Sequence, residues 1–244
     1  ITISRRSLLV SAGLLALAPL AGCGGNSGSG SAAAGSDYTI GVLKLTEHPA
    51  LDASYEGFTK AIKKSGLKAK IDLKSAQGDQ STCKSIADKF VGDNVDLIYA
   101  IATPAAQAAA GATADIPIVG CAITDYAASG LVQDNDKPDT NVTGASDLTP
   151  VAEQLEMMQK VLPDVKKVGL LYCTAESNSD VQIKAAKKEL DKLGIEYTDF
   201  TVSSSNEIQS VVESAVGKVD ALYSPTDNTI AAGASQVGQI CKEN

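Results

Sequence analysis

From Tyr38 onward, short apolar and β-branched runs alternate with longer amphipathic stretches. The pattern predicts strands over 38–45, 70–75, 95–102, 116–122 and 141–145, with helices over 51–65, 80–91 and 104–112 between them. Gly66 follows the first helix as a stop, and Pro104 opens the third, where its missing N–H costs nothing. A helix opening at Thr149-Pro150, with Thr as cap and Pro at the first position, begins a second series. It continues with strands over 167–172, 196–202 and 219–223 and helices over 179–193, 206–216 and 228–241. Strands alternating with helices of this length predict βαβ units and parallel sheets.

The two series are similar in order. Ile40-Gly41-Val42-Leu43 is matched by Val168-Gly169-Leu170-Leu171, and Val95-Asp96-Leu97-Ile98-Tyr99 by Val219-Asp220-Ala221-Leu222-Tyr223. Lys64-Ser65-Gly66-Leu67 and Lys192-Leu193-Gly194-Ile195 end equivalent helices. The sequence therefore predicts two Rossmann-like α/β lobes, over 37–147 and 148–244. The strand Ile116-Pro117-Ile118-Val119 has no counterpart in the second series. With no initiator Met, this predicts a piece of a longer reading frame and an unpaired edge on the second sheet.

Residues 1–36 follow a different pattern. Arg5 and Arg6 precede an apolar run over 7–20, which is 14 residues, and Leu20-Ala21-Gly22-Cys23 follows. A membrane span needs about 20 apolar residues. A basic start, a short apolar core and small residues at the end are the order of a secretory signal over 1–22. Cys23 after Leu-Ala-Gly resembles a bacterial lipobox, with Cys23 lipidated and anchoring the chain outside the cytoplasmic membrane. Ser4-Arg5-Arg6-Ser7-Leu8-Leu9 fits a twin-arginine export motif as well as an ordinary signal with adjacent arginines. The rest of 23–36, rich in Gly, Ser and Ala, reads as a flexible linker.

Composition narrows the function. The chain is 44% hydrophobic but only 4% aromatic, so its core is aliphatic. A net charge of −8 argues against nucleic acid, which is bound by clustered Lys and Arg. Apart from Cys23, the cysteines are Cys83, Cys121, Cys173 and Cys241, without CxxC or Cys/His pairing, so no metal site is expected. All four are expected as free thiols, with Cys121 and Cys173 as small buried hydrophobes. One histidine without a nearby acid and nucleophile gives no catalytic triad, and no GxSxG is present. No Walker loop or GxGxxG follows a strand, so no cofactor and no catalytic residue are expected.

Four segments together carry a family resemblance: Glu47-His48-Pro49-Ala50-Leu51-Asp52, Ala102-Thr103-Pro104-Ala105-Ala106-Gln107, Asn141-Val142-Thr143-Gly144 and Pro225-Thr226-Asp227-Asn228. From Tyr38 to the end the chain resembles the ABC-transporter substrate-binding lipoproteins of the group that includes tryptophan and tyrosine binders. The resemblance implies a type I periplasmic-binding-protein fold, with a small molecule held between two lobes. It also implies an amino-acid ligand, aromatic ones being within the group's range, a permease partner with a separate ATPase subunit, and a monomer. A sensory lipoprotein that signals ligand state to a membrane receptor without transport fits the same sequence. The chain's few aromatics, and Tyr126 where the family usually has Pro, leave aliphatic amino acids and other small carboxylates open.

In open parallel sheets the ligand sits beyond the carboxyl ends of the strands. That rule and the motifs select His48, Thr103, Ala105, Thr124, Asp125, Ser177, Asn178, Ser179, Thr226 and Asp227. Thr103 and the Ser177-Asn178-Ser179 run stand at helix starts, where N–H groups and the dipole favour a carboxylate. Asp125 and Asp227 are the acids expected to receive an ammonium; the rival roles are helix caps and a turn. His48 enters through its place in the family motif.

Overall fold

A computed structural model describes residues 37–244. The signal expected over 1–22, the lipidation expected at Cys23 and the linker expected over 23–36 lie outside the described residues. The first sheet contains β1 (Tyr38–Lys44), β2 (Ala69–Ser75), β3 (Leu97–Ile101), β4 (Ile118–Ile123) and β5 (Val142–Ser146). All pairings are parallel and the order is β2-β1-β3-β4-β5. Between the strands run α1 (Pro49–Ser65), α2 (Gln80–Gly92) and α3 (Thr103–Ala112). The second sheet holds β6 (Lys167–Cys173), β7 (Glu196–Val202) and β8 (Ala221–Tyr223) in the order β7-β6-β8, again parallel. Thus β6, β7 and β8 repeat the arrangement of β1, β2 and β3, as the paired sequence segments predict.

Each sheet is sandwiched by helices, and its strands are correspondingly apolar on both faces. In the first lobe Val42, Leu43, Ile98, Ile101 and Ile118 are fully buried, and Phe90 of α2 packs beneath them. Phe58 of α1 stacks on Tyr99 with ring centroids 4.0 Å apart. In the second lobe α4 (Val151–Val161) and α5 (Ser177–Leu193) cover one face with Leu155, Ile183 and Leu190. Ile208 and Val212 of α6 (Ile208–Ala215) pack the other face. Gly66 and Gly194 close α1 and α5 in the left-handed conformation.

Four local expectations change. The helix expected over 206–216 begins as a 3₁₀ turn, Ser205–Glu207, before α6. The helix expected over 228–241 is two, α7 (Asn228–Ala232) and α8 (Ala234–Glu243), parted at Gly233. Thr149 does not cap α4: Pro150 holds the cap position, and the Thr149 hydroxyl donates to Gln182 Oε1 at 2.9 Å. Cys121 is half-buried rather than buried, whereas Cys173 is buried as expected.

Among the described residues the chain passes between the lobes once, over 147–150, directly after β5. This strand lies very close to β4. A Cβ on Gly144 (φ +156°) would fall 2.0 Å from the Gly120 carbonyl oxygen and 2.2 Å from the Tyr126 hydroxyl. The hydroxyl in turn donates to the Ala145 carbonyl at 3.2 Å. Gly57, on an open face of α1, has nothing within 4 Å of such a Cβ. Gly144→Ala is expected to destabilise by more than about 3 kcal/mol, a value reserved for severe overpacking and backbone strain. Gly57→Ala is expected to stabilise by about 0.5–1 kcal/mol. Urea-unfolding midpoints of the two variants check both.

Candidate functional site

The strands of each lobe end at the interlobe seam, and among the described residues four polar contacts cross it. The Thr124 and Thr226 hydroxyls lie 2.9 Å apart, and His48 Nε2 is 3.4 Å from Asn228 Oδ1. Gln107 Nε2 donates to Ser177 Oγ at 3.1 Å and to the Ser129 carbonyl at 2.9 Å. Gln80 Nε2 donates to the Ala175 carbonyl at 2.5 Å. Together these contacts hold the lobes face to face.

Between the lobes lies a cavity of about 540 Å³. Its first-lobe wall includes His48, Leu51, Ala122 and Asp147; its second-lobe wall includes Pro225, Thr226, Asp227, Asn228 and Ile230. A volume of this size suits a small organic molecule. The lining is largely apolar with a few polar groups, and no Lys or Arg contributes to it. A second interlobe cavity of about 320 Å³ has a mixed lining, with Thr46, Asp79, Glu176, Ser203 and Asn206 beside Leu45, Pro104 and Ala175. Among the described residues no group of three His, Cys, Asp or Glu side chains is placed to hold a metal ion.

The residues expected at helix starts are drawn into the protein. Thr103 is 1% exposed and Ala105 fully buried; the Thr103 hydroxyl has no hydrogen-bond partner among the protein's groups. Ala102, which precedes α3, has φ +86°, a conformation costly for a residue with a Cβ. Ser177, Asn178 and Ser179 form the first turn of α5. The Ser177 hydroxyl accepts from Gln107, while the Asn178 amide donates to Glu176 and the Thr226 carbonyl. Ser179 Oγ donates to Asp227 Oδ2 at 2.7 Å. Neither Thr103 nor Ser179 caps its helix with its side chain.

The two acids expected to receive an ammonium are occupied. Asp125 accepts from the Ala128 N–H at 3.0 Å and the Asn135 amide at 2.9 Å, closing a local turn. These bonds lower its pKa, the Ala128 N–H contributing most. Asp227, 2% exposed, caps α7 through the Ile230 N–H and ties it to the end of β6 through the Cys173 N–H at 2.6 Å. Sequence reasoning missed its neighbour Glu176. This carboxylate is 3% exposed and accepts from the N–H and side chain of both Asn228 and Thr229. It also missed Asp147, an acid without any motif, which follows β5 into the crossing. Asp147 remains exposed to solvent, yet the surrounding walls push its pKa up while the Thr124 hydroxyl opposes the shift.

Burial, reinforced by the charge of Glu176, pushes the Asp227 pKa up to about 6. A carboxyl whose folded pKa exceeds its unfolded value favours the native state at low pH. That contribution is full below the unfolded value near 3.8 and is lost as pH rises through about 6. Two pKa units correspond to on the order of 3 kcal/mol. The stability difference between the wild type and Asp227→Asn, followed from pH 4 to 8, is expected to shift against the wild type by this order as pH rises. Urea-unfolding midpoints measure it.

The profile of the ABC transporter substrate binding protein family matches residues 39–243. A tyrosine-binding protein of Clostridioides difficile (strain R20291) is 41% identical over 97% of this chain and 71% of its own length. A solved ABC domain from Streptococcus pneumonia in complex with L-Trp is 42% identical, with a TM-score of 0.79 over 82% of this chain and 69% of that one. A ligand-free, open substrate-binding protein with adhesive properties from Clostridium difficile is 45% identical over 84% of this chain and 71% of that one, but superposes at only 0.58. A leucine-binding protein from Thermotoga maritima, at 17% identity and a TM-score of 0.57, shares the fold. The two parallel lobes are those of a type I periplasmic binding protein, and the chain belongs to the ABC transporter substrate-binding proteins, an extracytoplasmic family of binding proteins rather than enzymes.

Proposed function

We propose that the protein captures an amino acid in the 540 Å³ interlobe cavity and delivers it to an ABC importer. The observation that carries this reading is the cavity itself. It is shared between the lobes, closed by hydrogen bonds across the seam, and walled by apolar side chains around a few polar groups. A ligand touching both lobes favours the closed arrangement by its differential affinity for it. A permease reads that closed surface, and a separate ATPase subunit drives transport. Cys23 carries lipid that holds the protein, as a monomer, at the outer face of the cytoplasmic membrane, with residues 24–36 as tether.

An aromatic amino acid fits best, since relatives above 40% identity include a tyrosine-binding protein and an L-Trp complex. The apolar wall of Leu51, Ala122, Pro225 and Ile230 packs a side chain without needing aromatic partners. His48 and Asn228 provide hydrogen-bonding groups for the polar end.

Isothermal titration of the full-length protein with the twenty amino acids, simple sugars and nucleosides tests the reading. Binding of L-tyrosine or L-tryptophan at micromolar or lower concentration is expected. A hydrogen bond of ordinary strength is worth about 1 kcal/mol, so His48→Ala is expected to weaken binding about fivefold. Binding of sugars or nucleosides in preference to every amino acid would overturn the assignment.

A further inference from the structure

The end of the first lobe that points away from the cleft carries Lys63, Lys64, Lys68 and Lys70, on a chain whose net charge is −8. Lys63 and Lys64 stand in the last turn of α1, and Lys68 and Lys70 flank Ala69 at the start of β2, the edge strand of its sheet. All four are exposed, and none makes an ion pair among the described residues. The acids at this end of β1 are Asp37 and Asp96, and the Asp96 carboxylate is taken by the Thr39 N–H at 2.7 Å. Two apolar side chains stand exposed beside the lysines, Tyr38 at 46% and Leu67 at 40%.

The second lobe, built alike, lacks this face. Counted from Gly66 and Gly194, the four lysines correspond to Asp191, Lys192, Glu196 and Thr198, and Leu67 to Ile195, which is only 5% exposed. Lys192 is paired with Glu189. A lysine in the last turn of a helix complements its dipole, and lysines on an edge strand discourage pairing with another chain. Both reasons apply equally to α5 and to β7, which is also an edge strand. They do not account for a basic end on one lobe alone.

What sets the first lobe apart is where the chain enters it. The N–H groups of Asp37 and Tyr38 donate to the Lys68 carbonyl at 2.9 and 3.2 Å, so residue 36 joins the body among the lysines. The chain from Cys23 to Asp37 spans at most about 50 Å even when fully extended. We propose that this face, Lys63, Lys64, Lys68 and Lys70 with Tyr38 and Leu67, docks on the anionic lipid surface in which Cys23 is anchored. The proposal rests on the lipid-anchor reading of Cys23. Basic side chains are drawn to anionic headgroups, and exposed apolar side chains settle at the headgroup boundary. Because the chain is already held at the surface, the contact forms within one assembly and needs little attraction from each lysine. The seven residues of β1 then set the cleft about 20 Å farther from the bilayer, open to solute.

The test follows labelling of individual lysines by a water-soluble amine reagent, read by mass spectrometry. The full-length chain, made with its own signal in a bacterium that lipidates such proteins, is inserted into preformed vesicles. These are of phosphatidylcholine alone, or of phosphatidylcholine and phosphatidylglycerol in equal parts. On the mixed vesicles at about 0.1 M salt the four lysines are expected to react about fivefold more slowly than on neutral ones, and to recover at about 1 M salt. Lys184, exposed in the second turn of α5, whose first turn meets the first lobe, is expected to react alike on both. Lys68→Glu combined with Lys70→Glu, at two exposed positions, is expected to return Lys63 and Lys64 to their neutral-vesicle rate. Equal rates on both vesicles, slowing of Lys184 as large as that of the four, or slowing undiminished in the double variant overturns the proposal. Protection by a soluble glycerol-phosphate polymer but not by the mixed vesicles also overturns it, and marks a wall polymer as the occupant. A Cys23 peptide without acyl chains, seen in the same spectra, sinks the anchor reading and the proposal with it. Unprotected lysines on an acylated chain sink the proposal alone.

Discussion

Two carboxylates withdrawn from water, Glu176 and Asp227, organise the second lobe's half of the cleft. Burying a charge is expensive unless hydrogen bonds replace its hydration. Here backbone N–H groups at the end of β6 and the start of α7, with the side chains of Asn178, Ser179, Asn228 and Thr229, supply that replacement. Because these donors come from separate elements, the two acids fix where α5, α7 and β6 meet. Thr226 and Asn228, which touch the first lobe, stand on either side of Asp227. The seam between the lobes thus depends on a polar cluster that touches the opposite lobe only through its neighbours.

The first lobe reaches the seam by different means. Strand β5 is pressed onto β4 so closely that Gly144 has no room for a side chain, and Tyr126 fills the corner. Tyr126 is buried, and its hydroxyl meets the Ala145 carbonyl. Ala102 and Ala122, both with positive φ, end the adjacent strands β3 and β4. Such backbone is retained where surrounding packing over-determines it. The first-lobe wall is accordingly set by backbone, and the second by side-chain hydrogen bonds.

Much of this was legible in the sequence, for physical reasons. Strands buried on both faces read as continuous apolar runs, and parallel pairing requires the helices between them. The doubled order, down to Gly66 and Gly194 at equivalent helix ends, follows from two sheets built alike. The site was less legible. Of the residues that the rule of strand ends selects, His48, Thr226 and Asp227 line one cavity. It could not tell a saturated acid from an available one, because the partners of Asp227 lie 54 and 48 positions away at Cys173 and Ser179. Asp125 was hidden by the opposite effect: its partners are local, and an Asp in a turn looks the same whether it binds or folds. Glu176 resembled a solvated acid beside Ser and Asn. Asp147 followed a strand whose neighbours in the sheet were not yet known.

The short passage between the lobes has a mechanical meaning. On one side it is clamped by the glycine contact of β5 with β4, and on the other by Pro150, whose ring fixes its own φ. Within this passage the freedom left is that of the torsions of Asp147, Leu148 and Thr149. Thr149 is tethered as well, through Gln182. So short a passage acts as a stiff joint rather than a loose string.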